Sequence, residues 1–199
     1  MSDVLTHGGL LRRLYAADQA AYLAHLLRLD ADTRHDRFGM AVSDDWLATY
    51  AKGCFGPWDL VYGFFVGGEI RAAGELRQLV KNSFALNRHG EAAFSVEKDW
   101  RRHGIGTLLM EKIVRAAQNR RDISLHLMCL AQNKAMQGLA RKFSADLEFG
   151  TDEVTGRLVG HHVSALSLIG EAVDDAAGLV QAMLERGRRG KAEAVAAPQ

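Results

Sequence analysis

The chain is poor in the features that mark several functional classes. Only two cysteines occur in 199 residues, Cys54 and Cys129, and they do not form a C-x-x-C pair. That rules against a disulfide scaffold and against a thiol-based zinc cluster, and it predicts a reducing, cytoplasmic setting. The formal net charge is +1, so no global field points to nucleic acid or to a membrane surface. No apolar run approaches the length of a transmembrane helix, and the first residues contain no signal-like apolar core. There is no internal linker and no repeat. No G-x-S-x-G elbow is present, which argues against a serine hydrolase. The eight histidines are scattered. His161 and His162 are adjacent on a strand-like segment and so point to opposite faces, and His126 lies within an apolar run that reads as core, so no metal site is expected.

What the chain does have is residues 94–117, FSVEKDWRRHGIGTLLMEKIVRAA. They read as a strand, a glycine-bearing turn and a helix with apolar residues at Ile105, Leu108, Leu109, Ile113, Val114 and Ala117. The first N–H groups of such a helix have no internal acceptor, and the helix dipole is positive at that end. Gly104 and Gly106 let an anion approach the backbone, and Arg101, Arg102 and His103 add charge. The turn is therefore a candidate pyrophosphate site, served by the N–H groups of residues 103–107. No Walker lysine follows, and Leu109 stands where a dinucleotide fingerprint needs its third glycine.

Around this stretch, residues 9–15 read as a strand, 20–29 as a helix, 30–38 as a charged turn, and a helix opens after Ser43. Residues 59–66 and 69–76 read as a hairpin across Gly67-Gly68, 79–88 as a loop, and 90–97 as the strand feeding the glycine turn. A helix is expected over 104–118, a buried strand over 122–130 and a helix over 133–143. A last hairpin is expected from strands at 145–149 and 158–163. Residues 164–184 read as a helix with an apolar stripe at Leu166, Ile169, Val173, Ala176, Val180 and Met183. The stripe predicts packing on the domain or on a second copy, a homodimer. Residues 1–8 and the basic tail 185–199 (Arg186, Arg188, Arg189, Lys191) read as disordered, leaving one domain over 9–184. The tail has no interleaved aromatics, and solvation of a chain end accounts for it. The order gives an α/β fold with a mixed sheet, and the unit 90–130 requires a right-handed crossover between parallel strands.

The run R-x-x-G-x-G at 101–106, after a strand and before an amphipathic helix, resembles the acetyl-coenzyme A motif of the GNAT N-acetyltransferases. The resemblance implies a largely antiparallel sheet whose central parallel strands splay apart to admit the pantetheine arm, with acetyl-coenzyme A as cosubstrate. It implies direct attack by a primary amine in a ternary complex. It places a backbone oxyanion donor near Ser95 or Val96, and Asn133 (N-x-x-M-x-x-L) beside the coenzyme. An N-cap role for Asn133 is the alternative. Glu91 stands close to where protein-lysine acetyltransferases of this superfamily carry a glutamate, and residues 27–45 are similar to the acetyltransferase domain of bacterial members. Glu91 is thus one candidate base and Glu75, on the hairpin, the other. Glu97 reads as a solvated strand end. The family often places a tyrosine acid where this chain has Ala140. That departure motivates an alternative, a non-catalytic acyl-coenzyme A sensor. The amine acceptor, small molecule or protein lysine, is left open by the sequence.

Overall fold

The computed structural model describes residues 4–5, 8–78, 88–120, 123–158, 170–180 and 183. Eight strands form one sheet: β1 (Val4–Leu5), β2 (Gly9–Leu14), β3 (Leu60–Val66), β4 (Glu69–Gln78), β5 (Arg88–Val96), β6 (Ile123–Leu130), β7 (Asp146–Phe149) and β8 (Glu153–Leu158). Their spatial order is β1-β2-β3-β4-β5-β6-β8-β7. Every pairing is antiparallel except β5 with β6. The helices are α1 (Gln19–Arg28), α2 (Ala31–Phe38), α3 (Asp44–Gly53), α4 (Ile105–Asn119) and α5 (Lys134–Lys142). Residues 170–180 are also helical.

Two cores sandwich the sheet. On one face Ile105, Leu109, Met110 and Ile113 of α4 pack on Phe64, Leu76, Ala92 and Leu125. On the other, Tyr22 and Leu26 of α1 and Leu47 and Ala51 of α3 pack on Val61, Phe65, Ile70 and Ala73. Alternation along β4 serves both faces, with Ala72 and Leu76 facing α4 and Ala73 facing α1. The β3–β4 turn places Gly67 and Gly68 at φ +59° and +81°, the left-handed pair a two-residue hairpin needs.

The parallel pair positions the site. β5 and β6 are in register from Arg88↔Ile123 to Ala92↔Leu127 and then part. β5 stays on β4 as far as Val96↔Ala72, and β6 stays on β8 as far as Leu130↔Glu153. The fork between them opens beside the start of α4. This is the splayed GNAT-like architecture anticipated from the sequence.

Four local expectations are revised. Residues 30–38 form a helix rather than a turn. Asp30 caps it by accepting from the Thr33 N–H at 2.9 Å, and Gly39 ends it at φ +70°. The strand expected at 158–163 is β8, at Glu153–Leu158, and residues 159–163 lie outside the described residues. Val4–Leu5, expected to be disordered, add an edge strand to β2. The C-terminal helix does not seat its apolar stripe on the domain. Val173, Val180 and Met183 are 58%, 58% and 63% exposed. The helix docks through its acidic side, where Asp175 pairs with Arg13, Asp174 with Lys112, and Glu171 with Arg120. The tail 185–199, the loop 79–87 and Leu166 and Ile169 of the stripe lie outside the described residues.

Candidate active site

Two cavities meet at the fork. The first, about 460 Å³, lies against the glycine turn and is bordered by Ser95, Val96, Arg101, Arg102, Gly104 and Thr107, among others. Gly104 is the N-cap of α4 at φ +79°, and nothing lies within 4 Å of where its Cβ would stand. Arg102 is also left-handed, at φ +65°. The backbone thus turns sharply into α4 and leaves open space before the helix N-terminus. The geometry of an α-helix gives the N–H groups of Ile105 and Gly106 no acceptor within it, so they supply the anion-binding end. The Thr107 N–H is already bonded to the Gly104 carbonyl at 3.0 Å, so the expected set of N–H groups is shorter by one. The Thr107 hydroxyl instead lies 3.4 Å from the Lys142 ammonium, a basic neighbour not singled out from the sequence. The Arg101 side chain is a strut. Its guanidinium donates to the Val96 carbonyl and to the Thr33 hydroxyl, tying the turn to α2. His103 is exposed and Ile105 is core, 2% exposed, and neither side chain borders the cavity. This cradle of open backbone and positive side chains fits a pyrophosphate.

The second cavity, about 470 Å³, lies at the other end of the fork and is bordered by Glu91, Tyr50, Arg77, Cys129 and Glu153, among others. Phe94, Asn133, Met136, Asp36 and Arg37 border both cavities. Asn133 caps α5 by accepting from the Met136 N–H at 3.0 Å, and from that position it also reaches the junction. Both sequence readings of Asn133 therefore fit one conformation. Glu91 is half-buried and sits in a row across four strands, with Arg77 on one side, His126 on the other and Arg157 beyond His126. His126, expected in the core, is half-buried and lies 3.2 Å from the His89 ring nitrogen.

Glu75 borders neither cavity. It is 1% exposed and accepts from Tyr22, from Tyr50 at 2.7 Å and from Arg37 at 2.6 Å. Burial works to raise its pKa, but the Arg37 charge and the three hydrogen bonds outweigh that and hold the carboxyl below its usual value. The group is an anchored anion behind the cavity wall. Glu97 is likewise no solvated strand end, because its carboxylate accepts from His25, Arg28 and Arg71. His25 is fully buried and completes a chain. Burial, opposed by Glu97, lowers its pKa and keeps the ring neutral. With Nδ1–H donating to the Glu97 carboxylate at 3.0 Å, Nε2 accepts from the Ser95 hydroxyl at 2.9 Å. Ser95 is 3% exposed, so this Ser-His-Glu chain fixes α1 to β5 at the mouth of the fork.

Residues 20–144 match the model of the acetyltransferase (GNAT) family. The chain belongs to that family. Three solved structures show how far the GNAT fold extends over it. The GNAT domain of S. lividans PAT superposes with TM-score 0.68 at 17% identity, covering 80% of this chain and 96% of that one. The ribosomal-protein-alanine N-acetyltransferase from Brucella melitensis superposes at 0.59 and 18% identity, covering 75% and 99%. The ribosomal alpha-N-protein acetyltransferase RimL, in complex with coenzyme A, superposes at 0.62 and 14% identity, covering 79% and 96%. No curated protein matches the chain in sequence. Within the GNAT fold, Ala140 is 2% exposed and part of the core under α4, so no hydroxyl stands at that position.

Sequence reasoning missed α2 as a contributor. Asp36, Arg37 and Thr33 reach the cavities from a helix that has no apolar period, and Arg37, Tyr22 and Tyr50 surround Glu75 only through tertiary contact. The capping signals Asp30 and Gly39 were the available clue.

Proposed function

We propose that the protein transfers an acetyl group from acetyl-coenzyme A to a primary amine by direct attack in a ternary complex. The supporting observation is that the fork between β5 and β6 joins the glycine-turn cavity to the cavity bordered by Glu91. The pyrophosphate would rest on the N–H groups of Ile105 and Gly106, with Arg102 and Lys142 nearby. The pantetheine arm would follow the edge of β5 past Val96 and Ser95 to Asn133. Backbone N–H groups on that edge, freed where β5 leaves β6, are suited to the carbonyl oxygen. Glu91, directly or through water, would take the proton of the attacking amine. The amine nitrogen bonds to the carbonyl carbon, the carbon–sulfur bond breaks, and the departing thiolate takes a proton from solvent, since Ala140 supplies none. Asp36, Glu91 and Glu153 around the second cavity favour an acceptor that arrives as an ammonium, either a small amine or a protein lysine or N-terminus. The exposed Val173, Val180 and Met183 support association of two copies, which light scattering at micromolar protein would detect.

The deciding experiment is calorimetric binding of acetyl-coenzyme A to the wild type, Gly104→Ala and Gly104→Glu. Both variants bear the left-handed strain, on the order of 1–2 kcal/mol. Only the second places a carboxylate in the anion cradle. Micromolar binding retained in the alanine variant and lost at least ~100-fold in the glutamate variant is expected, followed by thiol release with an amine panel. The second reading, an acyl-coenzyme A sensor, is favoured by the buried Ala140. It predicts the same binding with no thiol release from any amine.

A further inference from the structure

Arg37 stands near the end of α2, where the two cavities join. Its side chain is 9% exposed. The guanidinium is fixed from behind. Nη2 donates to the Glu75 carboxylate at 2.6 Å and to the Tyr50 hydroxyl at 2.7 Å. The same carboxylate is held by the Tyr22 and Tyr50 hydroxyls, so the anchor cannot rotate without breaking buried hydrogen bonds. Among the described residues both hydrogen bonds of the guanidinium leave from Nη2, and Nε is buried with no acceptor. Arginine carries five N–H donors in a rigid fork, so a nearly buried cation is held in place with donors unspent.

The other residues at the junction do not offer this. Phe94 and Met136 are apolar, Asp36 accepts when ionised, and Asn133, held as the α5 cap through its carbonyl, offers only neutral amide N–H donors. Among these five Arg37 is the one cation. The charge around it also selects what it would meet. Glu75 neutralises it, and Asp36, Glu91 and Glu153 outnumber the single further cation, Arg77, around the cavity beyond. A ligand carboxylate would enter a net negative field there. A carbonyl oxygen would not, because its charge develops only as the amine attacks.

We propose that Arg37 is a catalytic residue that donates from its guanidinium to the oxygen of the thioester carbonyl. The inference rests on the coenzyme reading above. As the amine nitrogen bonds to carbon, the carbonyl electron pair moves onto oxygen and Arg37 stabilises it. The pair returns when the carbon–sulfur bond breaks, and Arg37 keeps its protons throughout. Glu75, Tyr50 and Tyr22 are positioning residues for it.

The test is calorimetric binding of acetyl-coenzyme A and of S-ethyl-coenzyme A, which carries the same two carbons on sulfur but no carbonyl oxygen. Wild type, Arg37→Lys and the double variant Arg37→Gln/Glu75→Gln are compared. The double variant removes both charges together and so leaves no unpaired buried ion. Wild type should prefer the acetyl compound by about tenfold, the scale of one charged hydrogen bond. Both variants should bind S-ethyl-coenzyme A as wild type does, lose most of the preference through weaker binding of acetyl-coenzyme A, and show a lower kcat together with a KM for acetyl-coenzyme A raised by up to about tenfold. Equal wild-type affinity for the two compounds overturns the role of Arg37 while leaving the coenzyme site standing, and so does a preference kept in the folded double variant. If wild type binds neither compound, the coenzyme reading falls and this inference falls with it.

Discussion

Glu75 and Glu91 sit on neighbouring strands and face the same side of the sheet, yet their surroundings give them different work. Glu75 is paired with Arg37 at 2.6 Å and 1% exposed, and its depressed pKa makes it a poor proton acceptor. Glu91 is half-buried at the rim of the second cavity. The expected contrast is sharp. Glu91→Gln should lower kcat by on the order of 10²–10⁴ with little change in melting temperature. Glu75→Gln should instead cost roughly 3–5 kcal/mol of stability, because it strands the Arg37 charge in a buried place. Paired thermal melts and initial rates on the two variants check this, and a reversed pattern would exchange the roles. The same anion acts on Cys54. Burial first, and then the charge of Glu75, push its thiol up to about 12, which leaves it protonated and unreactive at neutral pH.

At the scale of elements, the glycine turn and α4 form one device and the α1–β5 latch another. The latch is the chain from Ser95 through His25 to Glu97. Its pH dependence has a definite sign. His25 is held neutral in the fold, whereas the unfolded chain takes up a proton below the ordinary histidine value of about 6.5. The stabilisation is therefore complete above about 6.5 and lost as the pH falls toward the lowered folded value. His126, lowered by burial and by His89, acts in the same direction, and Glu97 adds a further loss below the usual glutamate range. Melting temperature should drop between about pH 7.5 and 5.5, and His25→Gln should flatten that drop without abolishing it. A slope unchanged by the substitution would remove His25 from the account.

For the whole molecule, the two cores and the C-terminal helix differ in what holds them. The cores bury apolar side chains on both sides of the sheet. The helix at 170–180 is tied on by ion pairs at partly exposed sites, such as Arg13 with Asp175 at 28% and 22% exposure. Pairs of that kind contribute about 0–1 kcal/mol each and are screened by salt. Hydrogen exchange in residues 170–180 should speed up when salt is raised from about 50 to 500 mM, while α4 stays protected. Salt-independent exchange would mean that contacts other than these pairs hold the helix.

Much of this molecule follows from local chemistry. The apolar period of 105–117, the glycines on either side of Ile105 and the Gly67-Gly68 turn are written residue by residue. So was the strand–helix–strand order about the glycine turn, whereas the fork came only with the resemblance to the GNAT family. Local pattern failed where contact over distance decides. The polar helix α2 has only its caps to declare it, and its Arg37 meets Glu75 38 positions away. The stripe of the last helix looked like a buried face. The structure turned its acidic face inward, because basic side chains of β2 and α4 already lined the surface on which it lies. Sequence alone determined the glycine turn and the architecture around it. Tertiary structure decided which carboxylate faces the cavity and which is locked behind it, because burial and charge pairing belong to the packed fold and not to any stretch of chain.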